Sequence, residues 1–249
     1  MQLRGKRVLV TGGSRGLGLG LVECLLEAEA EVTVIARHPG RLAELAQRLG
    51  VTTIAGDIAD PELPGRALRE VRPAVLVLNA GVTPPMRAID QISWEDFSAT
   101  WNTDTRAALQ WTQAAIRLPL EKGSRVLLGS SGAAVSGSPL SGGHGGAKRM
   151  IWMMAHYANG VAAERGLDLR FQAIVPRQMM GATDHGRACA TAYATKKGIT
   201  VEEFLAGFGK PMSPREFGQH VISILTEPRY ESITAFGVKG DTGILSLDG

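Results

Sequence analysis

The chain has 249 residues, 44% of them hydrophobic, with 27 basic against 24 acidic side chains. That is enough apolar material for one large domain with a core on both faces of a sheet, and no block of like charge offers a surface for nucleic acid or membrane. Its two cysteines, Cys24 and Cys189, lack disulfide or metal-knuckle spacing, and no apolar run has the length of a signal-peptide core or a membrane span. The expectation is a cytoplasmic protein with one domain, residues 1–249, and no metal.

Residues 7–11 read as a buried strand, and Gly12-Gly-Ser-Arg-Gly-Leu-Gly18 as a tight turn opening a helix over residues 19–28. Strand, glycine loop and helix form the arrangement a phosphate needs. The backbone can approach closely, and the helix N-terminus offers unpaired N–H groups and a favourable dipole. Gly12, Ser14, Arg15, Gly16, Leu17 and Gly18 are therefore candidate cofactor-binding residues, although a plain strand-to-helix turn has the same pattern. The second strand, residues 31–36, leads into Arg37. An acidic side chain there would bind the ribose hydroxyls of NAD, whereas Arg37 would attract the extra phosphate of NADP, with Arg15 reaching it from the other side. The pattern points to NADP(H) rather than NAD(H), against the alternative of two solvated arginines.

A third strand, residues 52–55, ends at Gly56-Asp57-Ile58, where Asp57 suits a helix cap ahead of Pro61 and Glu62. The fourth, residues 74–78, is continuously apolar, as a central parallel strand is, and ends at Asn79-Ala80-Gly81. One long helix is predicted over residues 94–115, with Asn102 as an unfavourable polar residue in its middle. Strand five, residues 125–128, delivers Gly129-Ser130-Ser131 to the same sheet edge. A helix over residues 144–164 places Lys148 one turn after His144 on the same face, beside a large apolar surface. Strand six, residues 169–175, ends at Pro176. Residues 177–211, with Met179, Met180, Tyr193, Phe204 and Phe208, read as a substrate lid, and a last strand and tail occupy residues 234–249. The alternation predicts an α/β fold with a doubly wound, mostly parallel sheet.

The glycine loop at Thr11 to Gly18 and the stretch Ser131 to Lys148 together resemble the short-chain dehydrogenase/reductase family. In that family a serine precedes a tyrosine by thirteen residues, a lysine comes four later, and a proline lies eight after the serine. Here Ser131, His144, Lys148 and Pro139 fall at those places. The resemblance covers nearly the whole chain and implies a Rossmann-type domain. It also implies that Asp57 and Ile58 flank the adenine, that Asn79, Ala80, Gly81 and Pro176 lie beside the cofactor, and that Arg15 and Arg37 mark NADP preference. Ser131 would bind the substrate oxygen, Lys148 the nicotinamide ribose, and Asn102 a proton-relay water, unless Asn102 bonds only to local backbone. The family's helices corresponding to those bearing Asn102 and His144 pack against their copies, implying a homodimer or homotetramer. An ordinary core helix is the alternative for residues 144–164.

The chain departs from the family in the lid and at the tyrosine. Arg177 replaces a glycine after Pro176, and Gly181 stands where a threonine is expected, with Thr183 as a substitute after a shift. Tyr193 and Lys197 have Tyr-x-x-x-Lys spacing, but they lie beyond strand six in the lid and are set aside as the catalytic pair. His144 replaces the tyrosine. Imidazole starts near pKa 6.5, and the Lys148 charge pushes it lower, giving a neutral ring suited to proton abstraction or alcohol oxidation. Imidazole is about 2 Å shorter than phenol, and a ~1 Å displacement costs about a hundredfold. Gly142, Gly143, Gly145 and Gly146 either let backbone or substrate close that gap or mark an emptied pocket, so His144 is either catalytic or space-filling. His38, His156, His185 and His220 lack ligand spacing and read as ordinary.

The leading expectation is an NADP(H)-dependent oxidoreductase interconverting an alcohol and a carbonyl on a small organic substrate. The alternatives are a non-redox lyase, dehydratase or isomerase, and a catalytically inactive NADP-binding regulatory protein.

Overall fold

The computed structural model describes residues 1–118, 120–240 and 242–248. In chain order the elements are β1 (Arg7–Thr11), α1 (Gly16–Glu27), β2 (Glu31–Ala36), α2 (Pro39–Leu49), β3 (Thr52–Ala55), α3 (Leu63–Val71), β4 (Val75–Leu78) and α4 (Trp94–Thr100). A π-helical segment, Trp101–Thr105, joins α4 to α5 (Arg106–Arg117). Then come β5 (Ser124–Gly129), α6 (Ala133–Ser136), α7 (His144–Glu164), β6 (Leu169–Pro176), α8 (Asp184–Lys197), α9 (Val201–Ala206), α10 (Pro214–Thr226), β7 (Ala235–Lys239) and β8 (Gly243–Ser246).

The strands form one sheet in the order β3-β2-β1-β4-β5-β6-β7-β8, parallel throughout except for the final antiparallel β8. The apolar strands are continuous because both faces of the sheet are covered. In β1, Val8 and Val10 point into a cluster with Leu21, Val22 and Leu25 of α1 and Phe217 and Val221 of α10. Leu9 points the other way, to Trp111 of α5 and Ile151 and Ala155 of α7.

Chain direction across the sheet reverses between β1 and β4, since β2 and β3 lie on one side and β4 to β7 on the other. The strand ends there diverge and leave a crevice, the usual ligand position of a doubly wound sheet. Two expectations about elements need correction. The single helix over residues 94–115 is two helices joined by a π-helical turn, and the last strand is a hairpin of two. Among the described residues no helix is long and apolar enough to cross a membrane.

Candidate active site

The crevice is a cleft of about 700 Å³ that runs from the end of β2 to the start of α7. At one end Thr11 fastens β1 to β4. Its hydroxyl donates to the Val77 carbonyl at 3.2 Å and accepts from the Asn79 N–H at 3.1 Å and the Ala80 N–H at 3.2 Å. The glycine loop is packed into this corner. A Cβ on Gly18 would sit 2.3 Å from the Gly12 carbonyl oxygen, and one on Gly12 would sit 2.8 Å from the Ala80 Cα. Ser14, Arg15, Gly16 and Leu17 are left along the cleft wall, with Arg37, His38 and Arg41 facing them from beyond β2. Arg37 makes no ion pair among the described residues. Arg15 is engaged, its Nη1 lying 2.7 Å from Asp184 Oδ2 at the start of α8.

Asp57, Ile58, Asn79, Ala80, Gly81 and Pro176 also line the cleft. Asp57 does not cap the next helix. Its Oδ1 accepts from the Ala59 N–H at 3.0 Å, closing a turn, while Asp60 accepts from Glu62 ahead of α3.

At the other end, β5 and α7 bring Ser131, His144 and Lys148 to the wall. Ser130 fixes the first turn of α7 by donating to the Lys148 carbonyl at 2.8 Å. The Ser131 hydroxyl accepts from the Ala133 N–H at 3.3 Å. Lys148 Nζ lies 2.9 Å from Asp104 Oδ2 and donates to the Gly129 carbonyl at 3.4 Å. Asp104 also accepts from the Val82 N–H at 2.9 Å through Oδ1. Both members of the ion pair are buried, at 7% exposure for Lys148 and 3% for Asp104. Buried charges persist only when paired and hydrogen-bonded, and this pair meets that requirement.

Asn102 is not in the cleft. It is exposed on the opposite face of the π-helical turn, where its Nδ2 donates to Ser98 Oγ at 3.0 Å. The partner is a local side chain and not the local backbone, and the residue does not reach the cleft. Thr103 and Asp104 take the cleft side. Sequence reasoning misses Asp104, yet a signal for it exists. It stands three, four and seven residues before Ala107, Ala108 and Trp111, on the stripe that is buried.

The glycines around His144 serve helix contact. Gly143 donates its N–H to the Phe97 carbonyl at 3.1 Å and its carbonyl accepts from Trp101 Nε1 at 3.1 Å. A Cβ there would lie 2.5 Å from the Phe97 oxygen. Gly142 packs on Ile92 and Phe97, and Gly146 faces Trp101. These residues let α4 close on the start of α7 and do not open a void toward substrate.

His144 is 4% exposed, with Nδ1 3.4 Å from Thr100 Oγ1. Burial, then the Lys148 charge and His185, push its pKa down to about 3, so the ring is neutral at pH 7. His185, which reads as ordinary in the sequence, lies opposite it with ring centroids 5.8 Å apart and lines the same cleft. Burial and Lys148 lower its pKa as well. No sequence spacing relates the two histidines, because α8 reaches the cleft only through the fold of residues 177–211.

That segment carries α8 and α9, held together by Ala190, Ala194 and Phe204 with Met179, Tyr193 and Phe208 around them. Tyr193 is committed to packing and loop support. Its ring stacks on Phe204 at 5.6 Å, and its hydroxyl bonds Ser138 Oγ at 2.7 Å and accepts from the Leu140 N–H at 3.2 Å. Thr183 caps α8, its hydroxyl accepting from the Gly186 N–H at 3.0 Å beside the glycine loop. Arg177 is exposed at the cleft wall.

The crossover at β1 and β4, the glycine loop and a lysine one turn into α7 define a doubly wound α/β protein of the dehydrogenase type. The family model described as short chain dehydrogenase matches residues 6–201, and the chain belongs to that family. Among curated relatives it is 32% identical over 123 residues to an L-xylulose reductase of Mesocricetus auratus, covering 49% of this chain and 50% of that one. It is 32% identical over 124 residues to carbonyl reductase 2 of Sus scrofa, whose name specifies NADPH, covering 49% and 51%. It is 38% identical over 144 residues to a probable oxidoreductase of Streptomyces antibioticus, covering 53% and 47%. The chain thus spans about half the length of the curated relatives it matches.

Proposed function

We propose that this protein is an NADP(H)-dependent oxidoreductase that interconverts an alcohol and a carbonyl on a small organic substrate. The observation that carries the reading is the continuity of one cleft from Arg37 and the glycine loop to Ser131, His144 and Lys148. The residues fit the cofactor. The helix α1 N-terminus and the bare backbone at Gly16 suit the pyrophosphate, and Arg37, without an ion-pair partner among the described residues, suits the 2′-phosphate. Asp57 and Ile58 flank the adenine, Asn79 to Gly81 and Pro176 flank the rest of the cofactor, and Lys148 holds the nicotinamide ribose. The names of relatives, a carbonyl reductase using NADPH and L-xylulose reductases, agree with a carbonyl or polyol substrate.

The nicotinamide, when bound, supplies or takes the hydride. Ser131 donates a hydrogen bond to the substrate oxygen, and His144 stands in place of the family tyrosine. Residues 177–211 cover the substrate within a single domain spanning residues 1–249. A homodimer or homotetramer forms through α4, α5 and α7, which expose Trp94 and Leu109 on the first two and Tyr157 on the third. A second reading, a non-redox lyase or isomerase, draws on the neutrality of His144, which makes it a base before it is an acid.

The test is titration calorimetry of NADPH and NADH with wild type and Arg37→Ala. Tight NADPH binding that weakens about tenfold or more in the variant, with NADH little changed, supports the reading. Absence of binding by either nucleotide removes it. Product formation without change in NADPH absorbance would select the lyase or isomerase.

A further inference from the structure

We propose that His185 is a second catalytic residue of this cleft, exchanging the proton with the substrate oxygen while His144 opposite fixes that oxygen by a hydrogen bond. The inference rests on the oxidoreductase reading above and adds a residue, and a division of labour, that the family resemblance does not contain.

The geometry comes first. The two imidazoles belong to different elements, α7 and α8, and converge at 5.8 Å between centroids on one wall-to-wall stretch of the cleft. His144 sits at the first position of α7 and His185 in the first turn of α8. The start of α8 is held there by two contacts. Thr183 caps it against the glycine loop, and Asp184 grips Arg15. His185 is therefore carried to the reacting centre by the segment that closes over it.

The chemistry then separates the rings. Both rings are held toward the neutral form, which favours accepting a proton from an alcohol over giving one to a carbonyl. His144 is the more buried and lies next to Lys148, so it stays neutral and serves through hydrogen bonding. His185 is half-buried. Around it lie Lys148 and His144 from α7, Asp104 from the π-helical turn, Arg15 from the glycine loop, and Asp184 and Cys189 from its own helix. Burial and then Lys148 lower its pKa, Asp104 raises it in part, and Arg15 lowers it further. Cys189 Sγ stands 3.9 Å from His185 Nε2 and makes only a weak contact.

In reduction, hydride reaches the carbonyl carbon from NADPH and the C=O π pair moves to oxygen. That oxygen takes a proton from the His185 imidazolium, and the neutral ring regains one from solvent. Oxidation runs the same steps backward, His185 accepting the alcohol proton as hydride leaves for NADP⁺.

The experiment compares wild type with His185→Gln in three measurements. NADPH affinity is taken by calorimetry. Reduction of 2,3-butanedione is monitored by NADPH absorbance from pH 5 to 9. The imidazole signals of His144 and His185 are recorded by NMR in the NADPH-bound protein over the same range. The expected result is equal NADPH affinity, kcat lower by about a hundredfold or more in the variant, and loss of the wild-type decline in kcat with rising pH. In the spectra, His185 titrates below its ordinary range, responds to NADPH, and moves the His144 signals as it does so.

A variant that keeps the wild-type kcat and pH profile overturns the proposal. So does a His185 that titrates near 6.5 and ignores both NADPH and His144. If wild type binds NADPH but does not reduce the diketone, the spectra alone decide. If wild type does not bind NADPH at all, it is the oxidoreductase reading that falls.

Discussion

Lys148 and Asp104 meet at 2.9 Å inside the protein, one from the first turns of α7 and the other from the π-helical turn between α4 and α5. The carboxylate oxygen that faces the ammonium has no hydrogen-bond partner, so the ammonium is its counterpart. Removing one charge leaves the other uncompensated in a dry place. Asp104→Asn should therefore cost about 3–5 kcal/mol of folding stability. The double variant Asp104→Asn with Lys148→Met should regain a large part of it, because no orphan charge is left. Urea unfolding of the wild type, both single variants and the double variant measures the coupling. Additive losses would mean that the pair is solvated.

The neutral state of His144 makes stability depend on pH. Its pKa is about 3 in the folded protein against an ordinary 6.5, so between these values the unfolded chain binds the extra proton. Its stabilising contribution is complete above pH 6.5 and is lost as pH falls toward 3. His185 acts in the same direction. Going from pH 7.5 to pH 5, His144 alone should cost wild type about 2 kcal/mol. His144→Gln should lack that part of the loss. Urea midpoints at the two pH values check it, and equal losses in both proteins would contradict the assignment.

Asp184 competes with the proposed nucleotide phosphate for the Arg15 guanidinium. The contact between the two residues is exposed, and such pairs contribute about 0–1 kcal/mol. Asp184→Ala frees Arg15 and removes a negative charge from the cleft mouth. NADPH affinity should rise up to about fivefold by calorimetry, with NADH affinity nearly constant. Equal gains for both nucleotides would place the effect in the lid and not at the 2′-phosphate.

The central strands are legible in the sequence because burial on both faces makes an apolar run, unbroken in Val75 to Leu78, whereas the edge strand β3, Thr52 to Ala55, is partly exposed and carries two threonines. The glycine loop is legible because packing leaves no room for side chains at Gly12 and Gly18. The helix over residues 94–115 is legible as helix but not in its rotation. A π-helical turn widens the helix by one residue and rotates α5 relative to α4, so Asn102 goes to solvent and Asp104 to Lys148. His185 carries no signal at all. It meets His144 through the path of residues 177–211, which shows no apolar period in the sequence that would fix a face. Gly142 and Gly143 stand out in the sequence as neighbours of a candidate substrate pocket, yet the contact they allow is with Ile92, Phe97 and Trp101.

Two glycines in helices separate packing necessity from mere propensity. A Cβ at Gly18 in α1 would lie 2.3 Å from the Gly12 carbonyl oxygen and 2.6 Å from Asn79 Nδ2. Neither group can move without disturbing the loop, so Gly18→Ala should cost about 1–3 kcal/mol. It should also weaken NADPH binding, because the loop and Asn79 form the cleft wall. Gly160, in the interior of α7, is exposed and meets nothing within 4 Å. Gly160→Ala should stabilise the protein by about 0.5–1 kcal/mol through lower backbone entropy in the unfolded chain and better helix propensity. Thermal unfolding of the two variants gives opposite shifts on this argument. A destabilised Gly160→Ala would instead show that another surface lies against α7 at that point, and a dependence of the loss on protein concentration would identify it as a second copy of the chain.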